Sequence, residues 1–486
     1  MANNNIDNPE YPSFHIPICL IQIWDLVDPT KPLAEPTNVR MITEVENIEI
    51  EDSYKELIGT ASVRFPRGTV IKKTITEVTR DQDVSRVTAT VEDTGVLITT
   101  RADSKKAEVT DFKVGSRIRI KLGYTTNPKI AALAQVDSEG KSIHNDTNKL
   151  TEYQSHLATM FDGYITKCSL EFPIELHCEN LASGLKKKSC PDRMYKNVTV
   201  NDMLAANGGT KGCAALLKDT GLDLHPDTAK CNINVGDIKL NSYLTVADIL
   251  TGWSKYKVYS FIKYNGTTPC IAVGRTYFSN AGDDSILKLT KTTDKIPKIL
   301  FNYHVAKNNL TSLAIDKKFL AVEATCLDSN DKFYHITIRP NPAWSEDKPN
   351  VEKWDICNEV KISKKAMEMG ARVLGKSTQK VDLSTYTIVP YMSRNLKISH
   401  DQLLKEAIKY YEEFNMNGIE GTLTLFGDLA LKSGMQVELV DELYPYKNGR
   451  YIVEEVTTTF GVNGYRQKIS LPYCIERTKP KNNESK

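Results

Sequence analysis

The sequence predicts a mainly β protein with an α+β insert: two related β-barrel domains, a smaller α+β domain between them, and helices in the C-terminal part. Three observations predict it. The run "SRIRIKL" alternates strictly, with Ile118, Ile120 and Leu122 on one face and Arg117, Arg119 and Lys121 on the other, the period of a half-buried strand. A strand–glycine–strand grammar is written twice: "GTASVRFP" from Gly59 with "VGSRIRIKLGY" from Val114, then "GTLTLFGDLALKSGMQVELVD" from Gly421. Between the two copies the spacing turns helical, in "TVNDMLAANGG" and "TVADILTGWSKY".

The chain has 486 residues, room for three or four domains. Apolar residues make up 40% and charged residues 26%, with a net charge of +2. That balance advertises neither nucleic-acid nor anionic-membrane binding. No stretch approaches the roughly 18 apolar residues of a membrane helix. The N-terminus "MANNNIDNPEYPSF" lacks the basic and apolar regions of a signal peptide. Ten cysteines run from Cys19 to Cys474 without a C-x-x-C pair, and they read as reduced, mostly core thiols.

Along the chain, residues 1–13 read as a loose arm and 14–188 as the first β-barrel domain. That domain carries two long polar stretches, about 68–112 and 125–157. The α+β domain occupies 189–284. Thr199 is a helix-cap candidate, and Thr245 caps a helix with Val246, Ile249, Leu250 and Trp253 on one face. A hairpin is expected around Asn265-Gly266. The second barrel domain, 285–473, begins with "KIPKILFNYHV", "FLAVEATCL" and "KFYHITIRP", and takes in helices at about 361–415, the later one capped by Ser399. Residues 474–486 read as a frayed tail.

The copies align residue by residue. With Gly59-Thr60 over Gly421-Thr422, Ala61 and Val63 fall on Leu423 and Leu425. With Gly115 over Gly434, Ile118 and Ile120 fall on Val437 and Leu439, so the faces agree in both strands. Gly163 falls on Gly449 if one residue is inserted, and Asp162-Gly163 and Asn448-Gly449 then read as hairpin turns.

Chemistry-bearing motifs dissolve on inspection. "GARVLGKS", Gly370 to Ser377, matches a phosphate loop literally, but a helix-like run precedes it and a strand or loop follows, the reverse of what a phosphate cradle needs. His177 and Cys178 point to opposite faces of a strand, as do Glu454 and Glu455, so neither pair converges on a metal or a glycosidic bond. No G-x-S-x-G occurs. No catalytic residue, cofactor or metal ligand is assigned. Lys186 to Lys188 read as a solvated turn. Tyr444 and Tyr446, in "DELYPYKNG", and the following Tyr451 are candidate interface residues.

The blocks "MFDGYITKCSLEFPIELHCENLASGLKK", "TVADILTGWSKYKVYSFIKYNGTTPCIAVGR" and "GTLTLFGDLALKSGMQVELVDELYPYKNGRYIVEEVTTTFGVNGYRQKISLP" follow one another in the order seen in phage tail and baseplate hub proteins. The chain resembles the late-control protein D group of that family and the N-terminal hub part of type VI secretion spike proteins, from about residue 14 to 473. The resemblance implies a non-enzymatic homotrimer, a ring of six quasi-equivalent barrels joining a six-fold tail tube to a three-fold spike. It implies as partners the tail tube protein, a spike and other baseplate proteins, without membrane insertion or specific nucleic-acid binding. The chain departs from the fused spike proteins in stopping at Lys486 without a spike segment, so the spike is expected on a separate chain. It places the protein in the virion tail, assembled in the bacterial host cytoplasm. Two alternatives remain at this point: a cell-wall hydrolase, or a carbohydrate-binding tail-tip module, of the same apparatus.

Overall fold

The computed structural model describes residues 15–26, 38–66, 70–81, 84–96, 112–132, 147–169, 173–204, 215–226, 228, 234–256, 258–265, 268–274, 296–311, 320–327, 332–345, 348, 350–363, 386–393, 399–414 and 419–477. It is mainly β. In chain order the strands are β1 (Ile16–Trp24), β2 (Asn38–Ile42), β3 (Asn47–Ser53), β4 (Thr60–Phe65), β5 (Val70–Asp81), β6 (Val84–Val96), β7 (Arg117–Thr125), β8 (Leu157–Cys168) and β9 (Ile174–Asn180). Then come β10 (Arg193–Thr199), β11 (Asp223–Leu224), β12 (Asn234–Leu240), β13 (Tyr259–Asn265), β14 (Thr268–Gly274), β15 (Lys298–Leu300), β16 (Val305–Asn308), β17 (Leu320–Leu327), β18 (Lys332–Pro340), β19 (Trp354–Ser363) and β20 (Thr387–Met392). The chain closes with β21 (Ile419–Phe426), β22 (Gln436–Val440), β23 (Gly449–Ile452), β24 (Glu455–Gly461), β25 (Gly464–Leu471) and β26 (Tyr473–Arg477).

One 13-stranded sheet runs β16-β21-β25-β24-β3-β4-β9-β8-β7-β1-β2-β5-β6. A second, four-stranded sheet, β15-β22-β23-β26, continues the C-terminal unit. Closed barrels were the expectation; among the described residues no sheet closes on itself. The pairing gives the reason. β24 lies antiparallel against β3, with Glu455 opposite Ser53 and Gly461 opposite Asn47. Each unit therefore spends an edge on the other unit rather than on itself.

The alternating strands bury what the pattern selects. Ile118, Ile120 and Leu122 join Ile48, Ile50, Ala61 and Val63 in the N-terminal core. Val437 and Leu439 join Leu423, Leu425 and Ile469 in the C-terminal one. A third core gathers Leu185, Leu250, Trp253 and Ile271, joined by Tyr54 and Ile452 from the two flanking units. Its helix Val246–Trp253 starts with a reciprocal cap, in which the Asp248 N–H donates to Thr245 Oγ1 and the Thr245 N–H to Asp248 Oδ2. The hairpin β13–β14 pairs Asn265 with Thr268, and its two loop residues, 266–267, lie outside the described set. The insert between β16 and β21 is a sheet, β19-β18-β17-β20, with helix His400–Phe414 laid on it through Leu403, Ala407 and Tyr411. Ser399 caps that helix, its Oγ accepting from the Gln402 N–H at 3.3 Å. The earlier helix and the phosphate-loop lookalike, Gly370 to Ser377, lie outside the described residues.

Candidate assembly surface

Four strands of each unit share one order. In the N-terminal unit β4, β7, β8 and β9 lie as β4-β9-β8-β7: first, fourth, third, second. In the C-terminal unit β21 lies beside β25 and β25 beside β24, while β23, which runs on into β24, carries β22. The order is again first, fourth, third, second. The entry to the second strand is locked alike in both. The Gly115 N–H donates to Ile165 O at 2.8 Å and the Ile165 N–H to Ser116 O at 2.9 Å. The Gly434 N–H donates to Val453 O at 2.8 Å and the Val453 N–H to Met435 O at 2.9 Å. Gly115 has φ +93° and Gly434 φ +75°, a backbone that side chains with a Cβ resist.

Gly59 and Gly421 also occupy matching places. A Cβ on Gly59 would stand 2.9 Å from Glu51 O, and one on Gly421 2.1 Å from Asn309 O. Those carbonyls sit on or just beyond β3 and β16, which flank β4 and β21 in the same way. Ile48, Glu49 and Ile50 face Val63, Ser62 and Ala61. Val305, Lys307 and Asn308 face Leu425, Thr424 and Leu423, with one extra residue at Ala306.

The third glycine pair does not match. Ile118 faces Gly163, whereas Val437 faces Tyr451, so Gly163 corresponds to Tyr451 and not to Gly449. Neither dipeptide is a hairpin turn. Gly163 sits inside β8, where a Cβ would come 2.1 Å from Glu179 O on β9. Gly449 opens β23 opposite Leu439, after a 3-10 turn at Pro445–Lys447. Close strand approach, not turn geometry, is what Gly163 serves. Tyr451 is correspondingly not an interface residue. It is fully buried, and its hydroxyl donates to Lys447 O at 2.7 Å.

Arg117 was assigned to the outward face, and the structure buries it. Its guanidinium donates in two places to Asp162, Nε to Oδ1 and Nη2 to Oδ2, both at 2.8 Å, with the side chains 2% and 1% exposed. Arg119 adds a second fork to Asp162 Oδ2. The Trp24 ring lies under both guanidiniums, at 5.1 and 5.5 Å. The paired, multiply hydrogen-bonded geometry is the arrangement in which a buried ion pair is tolerable. Burial, with Arg119 beside it, holds Lys121 below the usual lysine range.

The units meet at a cavity of about 370 Å³ lined by Asp52, Asp162, Tyr264, Lys432 and Met435 among others. Ser433 donates to Asp52 Oδ2 from both its N–H (3.2 Å) and its hydroxyl (2.7 Å). Lys432 Nζ stands 4.3 Å from the Tyr264 ring, and burial lowers its pKa. Lys55 and Glu454 pair at 2.6 Å across the same seam. A second cleft, of about 340 Å³, lies between His15 and Tyr124 of the N-terminal unit and Phe426 and Arg466 of the C-terminal one. At its margin His304 accepts from the Leu300 N–H at 2.9 Å and stands 3.4 Å from Asp428. Burial pushes His304 down and Asp428 up.

The loop between β22 and β23 presents apolar side chains to solvent: Leu443 is 71% exposed, Tyr444 54% and Tyr446 65%. Its backbone is nonetheless fixed. The buried Asp441 accepts from the Leu443 and Tyr444 N–H groups, both at 2.9 Å, and pairs with Lys447. The basic run is spent locally, Lys186 on Glu179 at 2.8 Å and Lys188 on Asp219 at 3.8 Å. The sequence offers Asp162 as a turn residue, and its ion pair with Arg117 and the pairing of β3 with β24 went unread; the alternation of "NIEIE" was the available signal for the strand, and nothing local marked its partner.

No family model matches the chain, and no curated protein matches it. Solved structures do. The tail protein from Neisseria meningitidis MC58 is 9% identical, with 93% of this chain and 96% of that chain covered and a TM-score of 0.45. The 43 kDa tail protein of prophage MuSo2 from Shewanella oneidensis is 9% identical, with 93% and 97% covered and a TM-score of 0.44. A Francisella PdpA-VgrG complex is 10% identical, with 98% of this chain and 55% of that chain covered and a TM-score of 0.41. The chain is thus similar to phage tail proteins and to VgrG-containing complexes.

Proposed function

We propose that this chain is the structural hub of a phage tail baseplate or a related contractile injection apparatus. Three copies form a ring of six look-alike β units, on which a six-fold tail tube stacks and to which a three-fold spike docks. The observation that carries this reading is the repeated unit, two four-strand blocks with the same strand order and the same glycine lock within one chain. A protein needs such a repeat when its own symmetry must present twice as many equivalent positions as it has subunits. The units would span about residues 14–188 and 285–473, with the α+β part, 189–284, on the periphery. The rigid, apolar Leu443–Tyr446 loop suits contact with another protein of the apparatus, since fixed aromatic side chains bind at low entropic cost. The work is assembly rather than catalysis, in the virion tail, after folding in the host cytoplasm.

The test is the mass and shape of the purified protein. Light scattering should give three times the chain mass, and negative-stain images a three-fold ring with a pore. A stable monomer at micromolar concentration, or a two-fold particle, sinks the reading.

A further inference from the structure

The repeat sets a lysine two residues before each locking glycine, Lys113 before Gly115 and Lys432 before Gly434. Their surroundings differ. Lys113 is 70% exposed and pairs with Asp25 at 3.7 Å. Lys432 lines the seam cavity of about 370 Å³, where its Nζ stands 4.3 Å from the Tyr264 ring. Among the described residues no carboxylate forms an ion pair with Lys432. The Tyr264 hydroxyl, which lines the same cavity, has no hydrogen-bond partner among them either. Burial is the largest influence on both groups: it lowers the lysine pKa and raises the tyrosine one. Two donors withdrawn from water without an acceptor carry a desolvation cost that an incoming oxygen relieves.

The loop that carries Lys432 is already fixed. The Lys432 N–H donates to Met435 Sδ at 3.4 Å, Ser433 is tied to Asp52, and the Gly434 N–H to Val453 O. A donor held in place loses little entropy when it binds. The rest of the lining sets the chemistry of the ligand. Phe161, Phe261, Ile262, Pro297 and Met435 suit an apolar body. Glu51, Asp52 and Asp162 also line the cavity. Asp162 is spent on Arg117 and Arg119 and Asp52 on Ser433, yet their charge disfavours a dianion such as a phosphate ester. The volume falls in the range of about 300–1,000 Å³ usual for small-molecule sites.

We propose that this cavity binds a small monocarboxylic acid with an apolar body, its carboxylate accepting from Lys432 Nζ and Tyr264 Oη and serving Lys432 as Asp25 serves Lys113. The proposal is independent of the hub reading above. The test is calorimetric titration of the full chain with 3-phenylpropanoate and with 3-phenylpropan-1-ol, which keeps the apolar body and drops the charge. The acid should bind with a dissociation constant of about a millimolar or tighter, and the alcohol at least about tenfold more weakly. Lys432→Met should weaken the acid at least about tenfold and leave the alcohol unchanged. Tyr264→Phe, which keeps the ring, should weaken the acid about fivefold. Lys113→Met should leave both affinities as they are. Absence of acid binding in the millimolar range, equal affinity for acid and alcohol, or a cooperatively melting Lys432→Met that keeps the preference for the acid overturns the site. Should Lys432→Met fail to fold, Tyr264→Phe decides: undiminished acid affinity overturns the site as well.

Discussion

The β7–β8 pair and the β22–β23 pair occupy the same place in the two units with opposite charges. In the first, Arg119 faces Asp162; in the second, Glu438 faces Arg450. What the repeat preserves is register and complementarity, not residue identity. Cross-strand neighbours interact through their sum, so a pair can invert its signs while the backbone holds still. The units differ more at the loop that follows. β7 and β8 are separated by 126–156, with helices at Pro128–Ala132 and Thr147–Ser155, where Ile130 and Tyr153 pack on β1. At the same place β22 and β23 have the short loop fixed by Asp441. Insertions thus sit where the shared strands end and leave the shared register intact.

The comparison breaks most sharply at matched core positions. Ile118→Asp and Val437→Asp each bury an unpaired carboxylate at a fully enclosed site. Each should cost more than about 4 kcal/mol and abolish both cooperative melting and trimers. A tolerated substitution in one unit would show that its strand is not placed as its twin is. Next comes Asp162→Ala, which strands two arginines and should cost about 3–5 kcal/mol in chemical denaturation. Its counterpart Arg450→Ala, at a half-exposed site, should stay within about 0.5 kcal/mol. Equal losses would mean that the two pairs do the same work after all.

Gly115→Ala and Gly434→Ala should each cost about 1–2 kcal/mol, because both force a Cβ into the left-handed region, and the two melting shifts should agree. The smallest effect is the dependence on pH. His304 is held neutral by burial, with its pKa below the usual value, so the unfolded chain takes up its proton first as the solution is acidified. The stability that neutral His304 preserves is therefore present above about pH 6.5 and declines as pH falls below it. Asp428, whose pKa burial raises, opposes this at still lower pH by favouring the folded state when protonated. Melting curves of the protein and of His304→Gln, between pH 7 and 5.5, should diverge in slope.

Much of this was legible in the chain. Alternation picked out Ile118, Ile120, Val437 and Leu439, and capping grammar picked out Thr245 and Ser399, because each signal is complete within a few residues. Glycine was legible only in part. Gly115 and Gly434 lie in the local turn that the sequence suggests. Gly163 exists for a strand eleven or more residues away, and Asn448-Gly449 mimics a turn without making one.

By itself, then, the sequence determined that there are two alike sets of strands, which face of each goes inward, and where the intervening helices begin. Those properties follow from side-chain period and backbone dihedrals, which are local. Only the tertiary structure decided that no sheet among the described residues closes on itself, that β24 docks on β3, that Arg117 turns inward to Asp162 and that Tyr451 is core. Edge pairing and ion-pair burial depend on which surfaces meet, and a hydrogen-bonding edge looks the same in sequence whichever neighbour it acquires.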